Sequence, residues 1–296
     1  MDQSWEKTGF TIRTIVYATD FLESSRLALD YAAAFAHHYQ ADLVLVHAIE
    51  LSTAAQEVEL LQRVPCLSRE AARDRLEGFA LGVRRLGIKV ETDLRDGDVC
   101  GAVLRSATTH HADLLVLGTH GAHRGLDHLL LGSNTEKILL AAPCPALTVG
   151  RNVLGGIDTE LQLREILFVS DFTPEATAAA RYAIALAEEF HVPMEICQML
   201  PEKAAGDPEL RLQLAEQYCN AMKRMMPERG DWCDPHFHLE RRRSADEILE
   251  RARLDPASLI VLGVRPQSHL GRHLHTSFAY ELVGRSTCPL LTIHSQ

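Results

Sequence analysis

A chain that passes twice through the same order of short motifs must fold as two copies of one unit, and this chain does so. The apolar run Thr14–Ala18 leads into Thr19, Asp20 and Phe21; a second run, Glu165–Val169, leads into Ser170, Asp171 and Phe172. Further on, Ala112-Asp113-Leu114-Leu115-Val116-Leu117-Gly118 is echoed by Ala257-Ser258-Leu259-Ile260-Val261-Leu262-Gly263, and Pro143–Val149 by Thr287–Ile293. Three matches in one order are the mark of a tandem duplication. The Gly pair and turn formers of Asn152–Thr159 suit a connection between the copies. The expected division is residues 1–151, a linker at 152–163, and residues 164–296.

Within the first copy, short apolar runs alternate with longer amphipathic stretches. Strands are expected at Thr14–Ala18, Asp42–Ile49, Lys89–Leu94, Leu114–Gly118 and Ala146–Val149, and helices at Ser24–Tyr39, Ser68–Leu86, Val99–His110 and Ser133–Ala142. Residues 51–65 read as loop or irregular helix. Runs such as Leu43-Val44-Leu45-Val46 are apolar throughout, as strands covered on both faces by helices must be. The fold class is therefore α/β: two tandem doubly wound domains, each a parallel sheet of five strands flanked by helices. In the second copy Thr173 suits an N-cap and Pro174 the first helical position, predicting a helix over Pro174–Phe190. Strands near Met194–Leu200 and Pro235–Leu239 and a helix over Pro208–Met226 follow the same plan.

The net charge of −10 argues against a sequence-independent grip on nucleic acid or on an anionic membrane surface, since both need clustered Lys and Arg. Arg241, Arg242 and Arg243 are the densest basic run, too short for such a patch. No apolar run approaches the roughly 20 residues of a membrane span, and the polar start MDQSWEKTGF lacks the features of a secretory signal, so a cytoplasmic location is expected. The seven cysteines are scattered and never spaced Cys-x-x-Cys, which favours neither a disulfide framework nor a zinc site. The histidines of the loops (His120, His123, His128, His269, His273, His275) form no ligand pattern, and no metal is expected.

In an open parallel sheet, ligands bind at the carboxyl ends of the strands where the strand order reverses. Thr19 and Asp20 close the first strand; Gly118 closes the fourth and opens a loop containing Gly121, Gly125 and Gly132 before a helix at Ser133. Glycines leave backbone N–H groups uncovered, and a helix start favours negative charge, so this combination suits a phosphate. By itself a Gly-x-x-Gly turn would merely close a strand–helix connection, and Asp20 could merely cap a helix. Three glycines, a helix start and Asp20 together favour binding. No triad, nucleophile elbow or Walker lysine is evident, so any ATP hydrolysis is expected to be slow.

These residues resemble the universal stress protein family, whose nucleotide-binding members carry Gly-x2-Gly-x9-Gly-(Ser/Thr) after the fourth strand and an Asp after the first. The strings GTHG, LLLGS and APCP carry the likeness. The resemblance implies a strand order of 3-2-1-4-5 and a stress-response regulator binding ATP or a related nucleotide, with or without Mg2+. It places Thr19 and Asp20 at the nucleoside, Ala48 and Leu117 at the adenine, and Gly118, Gly121, Gly132, Ser133 and Asn134 at ribose and phosphates. It also implies an intramolecular pseudo-dimer with Ala146–Val149 beside Leu290–Ile293, a protein partner whose identity is open, and leaves a homodimer open.

Two departures qualify this. Ten residues, Ala122–Leu131, separate Gly121 from Gly132 where the family has nine, which lengthens a loop tip and brings Arg124 within reach of a phosphate. In the second copy the glycines corresponding to Gly121 and Gly132 are Pro266 and Thr276, and Gly97 is matched by Arg242, so that site is expected to be degenerate. A nucleotide-independent interaction scaffold and a weak ATPase or small-molecule carrier stay open as other readings.

Overall fold

The structure, a computed structural model, describes residues 11–50, 68–119, 132–153, 160–171, 173–199, 207–225, 236–240, 245–254, 259–264 and 275–294. The chain divides into two compact units, one built on Thr11–Arg151 and the other on Gln162–Gln296.

The first unit runs β1 (Thr14–Ala18), α1 (Glu23–Tyr39), β2 (Asp42–Ile49), α2 (Arg69–Arg84), β3 (Val90–Asp96), α3 (Val99–Thr109), β4 (Leu114–Gly118), α4 (Ser133–Ala141) and β5 (Ala146–Val149). Every pairing is parallel: β1 with β2 and β4, β2 with β3, and β4 with β5. The order is therefore β3-β2-β1-β4-β5. Its core is the apolar strand centre, with Ile15, Val16, Tyr17, Leu43–Val46 and Leu114–Leu117 all buried. Helix α1 packs close through Ala28, Ala32 and Ala36, whose small side chains let it lie near the sheet, with Phe35 filling between.

Strand β3 extends two residues beyond the expected Leu94, because Arg95 and Asp96 continue the register against Ala48 and Ile49. Polar residues on an edge strand break the apolar alternation that sequence reading relies on, and the same charges discourage pairing with another chain. Gly97 follows with φ +118, a backbone conformation that L side chains rarely adopt, and turns the chain into α3.

The second unit runs β6 (Ile166–Ser170), α5 (Pro174–Phe190), β7 (Met194–Met199), α6 (Pro208–Met225), β8 (His236–Glu240), α7 (Ala245–Leu254), β9 (Leu259–Val264), α8 (His275–Arg285) and β10 (Leu290–His294). Parallel pairings of β6 with β7 and β9, β7 with β8, and β9 with β10 give β8-β7-β6-β9-β10, the same order as in the first unit. Thr173 caps α5 by accepting the Ala176 N–H, with Pro174 at the helix start. Each unit is thus a doubly wound five-stranded sheet. Among the described residues no helix is long and apolar enough to cross a membrane.

Candidate functional site

In the first unit the strand order reverses between β1 and β4, which pair in register from Ile15 against Leu114 to Ala18 against Leu117. Their carboxyl ends, with that of β2, bring Thr19, Asp20, Ala48, Leu117 and Gly118 to one end of the sheet, and α4 begins there with Gly132, Ser133 and Asn134. Gly121 and Arg124 lie outside the described residues, as does the segment 51–65 expected as loop or irregular helix.

The end of β1 is held by a compact set of hydrogen bonds. The Thr19 N–H donates to the Val46 carbonyl at 3.0 Å, extending the β1–β2 pairing by one residue. Thr19 Oγ1 accepts the Phe21 N–H at 3.0 Å and lies 3.2 Å from Ser25 Oγ, so this buried hydroxyl is engaged in shaping the turn. Asp20 accepts the Leu22 N–H at Oδ1, 3.0 Å away; Oδ2 is not needed to hold this turn. The Tyr17 phenol donates to the Ser25 carbonyl at 2.6 Å, and its burial pushes the phenol pKa up to about 12.

The end of β4 is tied to the start of α4. Thr119 N–H donates to Val149 O at 3.2 Å, and Gly132 N–H donates to Thr119 O at 3.0 Å, which joins the residue after β4 to the N-cap of α4. Thr135, buried in the first turn of α4, donates its hydroxyl to the Gly118 carbonyl at 3.2 Å and ties the helix start to the strand end.

Helix capping separates this place from the other helix starts whose caps the described residues include. Ser68 caps α2 and Asp98 caps α3, each accepting a first-turn N–H, and Thr173 caps α5. The two helices that begin beside the reversal point, α1 at Leu22 and α4 at Gly132, have no side-chain cap. Gly132 sits at φ −61 and ψ 138, a conformation open to any residue, so glycine is not there for its backbone freedom. A cap residue such as Ser or Asp would contribute about 1 kcal/mol of helix stability at such a position. Gly132 has no side chain to accept a first-turn N–H of α4, and such N–H groups at a helix start attract negative charge.

Two residues at the site, His47 and Thr135, carry no signal that pattern reading could use, and Phe21 enters the sequence only as part of the repeated motif. His47 is half-buried on β2, with Nδ1 2.7 Å from the Thr19 carbonyl oxygen. Its ring packs on Phe21 with centroids 4.2 Å apart and the planes tilted by 37°. Burial lowers the His47 pKa, against the raising effects of the Thr19 carbonyl and Asp20, while Arg75 lowers it further. The unfolded chain, with an ordinary histidine pKa of about 6.5, therefore takes up a proton that the folded chain resists. Stability is complete above that value and falls as pH drops toward the folded pKa. The unfolding midpoint of the wild type is expected to fall more steeply from about pH 7 to about pH 5 than that of His47→Gln, measured by denaturant titration at each pH. Equal slopes would show that His47 is not held neutral in the folded state.

The second unit treats the same positions differently. Asp171 Oδ1 accepts both the N–H (3.2 Å) and the hydroxyl (2.6 Å) of Thr173, whose oxygen in turn caps α5. Gly263, which corresponds to Gly118, packs so closely that an added Cβ would lie 2.3 Å from the Glu175 carbonyl carbon and 2.5 Å from the Ala176 nitrogen. Glu175 itself is buried in the first turn of α5. Here backbone at the start of α5 occupies the position beside Gly263.

Comparison with known proteins gives a consistent result. The model of the universal stress protein family matches residues 11–150 and again residues 162–294. A universal stress protein of Thermus aquaticus is 34% identical over 143 residues, covering 46% of this chain and 98% of its own length. One from Methanocaldococcus jannaschii is 28% identical over 142 residues, covering 46% of this chain and 81% of its own. Among solved structures, a universal stress protein of Archaeoglobus fulgidus superposes with a TM-score of 0.66 at 19% identity, over 95% of this chain and 98% of that one, a likeness of fold.

Proposed function

Because the chain belongs to the universal stress protein family through both of its repeats, we propose that it is a stress-response regulator whose first repeat binds ATP or a related nucleotide and whose second does not. The observation that carries this reading is the pair of helix starts without side-chain caps, at Leu22 and Gly132, on either side of the β1–β4 reversal point.

On this reading the Asp20 carboxylate accepts a hydrogen bond from the ribose, and Ala48 and Leu117 border the adenine. Gly118, Gly121 and the first-turn N–H groups at Ser133 and Asn134 hold the phosphates, with Arg124 as a further cation. Thr19 belongs to the site as the residue that shapes its turn. Bound Mg2+ would offset phosphate charge. In the second repeat Asp171 is engaged by Thr173, and the start of α5 is capped by Thr173 and pressed against Gly263. A partner protein that reads the occupied first repeat completes the proposed regulatory role.

The test is to denature freshly purified protein, identify any released nucleotide by chromatography, and titrate ATP calorimetrically into wild type and Gly132→Arg. The φ of −61 at Gly132 accommodates arginine without backbone strain, so the variant is expected to fold. One ATP per wild-type chain, lost in the variant, is the expected result. A wild type that neither carries nor binds nucleotide would overturn the nucleotide reading and leave an interaction scaffold in front.

A further inference from the structure

The turn that presents Asp20 is not one the local chain favours. Phe21 has φ +64, a left-handed backbone that a bulky L residue adopts rarely and only when its surroundings impose it. What imposes it comes largely from β2 and α2. The Phe21 ring is buried, packed at 4.2 Å and a 37° tilt against His47 and edge-on to Phe79 at 5.7 Å, with the Arg75 guanidinium 5.5 Å from the ring centre. The peptide just before Asp20 is fixed at its oxygen by His47, 2.7 Å from Nδ1. A carbonyl oxygen can only accept, so the ring carries its proton on Nδ1, and Nε2 is bare in the neutral imidazole.

We propose that His47 is a positioning residue of the first repeat, acting through Asp20: it pins the Thr19 carbonyl and braces the Phe21 ring so that the turn holds the Asp20 carboxylate toward a nucleotide. The proposal rests on the nucleotide reading of that repeat. The second repeat supplies an internal comparison. Ser170 and Gln198 are register partners on β6 and β7, in the places of Thr19 and His47. The Gln198 amide donates instead to the carbonyl of its neighbour Met199, at 3.2 Å. Both residues are buried, and neither Gln198 Oε1 nor Ser170 Oγ has a hydrogen-bond partner among the described residues. Where glutamine stands for histidine, the following aspartate is engaged by Thr173 of its own chain.

The experiment measures ATP affinity of the full chain for wild type, His47→Gln, His47→Asn, Asp20→Ala and the double variant of His47→Gln with Asp20→Ala. Asparagine places its amide nitrogen where Nδ1 stood, whereas glutamine places it farther out. His47→Gln is expected to weaken ATP binding roughly tenfold and His47→Asn to recover to within about threefold of wild type. On the Asp20→Ala background His47→Gln should change affinity by less than about twofold, since its effect passes through a carboxylate no longer present. Wild-type affinity in His47→Gln, no recovery in His47→Asn, or a full additional loss in the double variant would each overturn the proposal. Should His47→Gln not fold, 15N spectra of the wild type decide: an Nδ1–H tautomer whose signal shifts with ATP supports the proposal, and an Nε2–H tautomer overturns it. A wild type that binds no ATP overturns the nucleotide reading itself, and so is told apart from a binding wild type whose affinity is indifferent to His47.

Discussion

Gly263→Val is expected to destabilise the second repeat by about 3 kcal/mol or more, at the upper end of what overpacking costs. The first added carbon alone would lie 2.3 Å from the Glu175 carbonyl carbon, 2.4 Å from its oxygen and 2.5 Å from the Ala176 nitrogen. These are backbone atoms at the start of a helix, and unlike a flexible side chain they cannot swing aside. Relief requires moving the first turn of α5, and that helix packs through the buried small residues Ala176, Ala179, Ala180 and Ala183, which leave little slack. Displacing the turn would also disturb the Thr173 cap. Denaturant unfolding followed by circular dichroism measures the effect; a variant that unfolds at the wild-type midpoint would show that β9 and α5 do not approach so closely.

Asp20→Ala and Asp171→Ala are expected to part company, although the two residues occupy equivalent places after their first strands. A hydrogen bond to a charged group is worth about 1.5–3 kcal/mol, so loss of the Asp20 carboxylate should weaken ATP binding roughly ten- to a hundredfold. The stability cost should be small, since within the fold Asp20 Oδ1 supports a single turn hydrogen bond, to Leu22. Asp171→Ala should leave ATP affinity unchanged while costing about 1 kcal/mol of stability, because Oδ1 holds both the N–H and the hydroxyl of the Thr173 cap residue. Calorimetry and denaturant unfolding on the two variants separate these effects. Equal losses of ATP affinity would mean that both repeats contribute to binding, and no loss in Asp20→Ala would remove the carboxylate from the proposed site.

Several elements were legible because their signals are local. The runs Asp42–Ile49, Leu114–Gly118 and Ala146–Val149 are strands over those same residues, and Thr173-Pro174 starts a helix that ends at Phe190. Boundaries moved where pairing, not composition, decides them. Strand β6 covers Ile166–Ser170, one residue later than the apolar run suggests, since it extends as far as it pairs with β7, out to Ser170 against Gln198. Strand β3 takes in Arg95 and Asp96 for the same reason.

The site divides along a similar line. Asp20, Gly118 and Gly132 were candidates because glycines and an acid next to strand ends form a pattern along the chain. Their companions do not: His47 lies 28 positions from Thr19, and the bond between them exists only because β1 and β2 are neighbours in the sheet. Arg75 and Phe79 reach Phe21 from α2, again across the fold. By itself the sequence determined the duplication, the alternation of strand and helix and the family, since each is written in the order and periodicity of neighbouring residues. Tertiary structure alone decided that the turn at Asp20 is held in a left-handed conformation by β2 and α2, and that the start of α5 presses on Gly263. Both depend on distances between segments far apart in the chain, which composition and spacing do not encode.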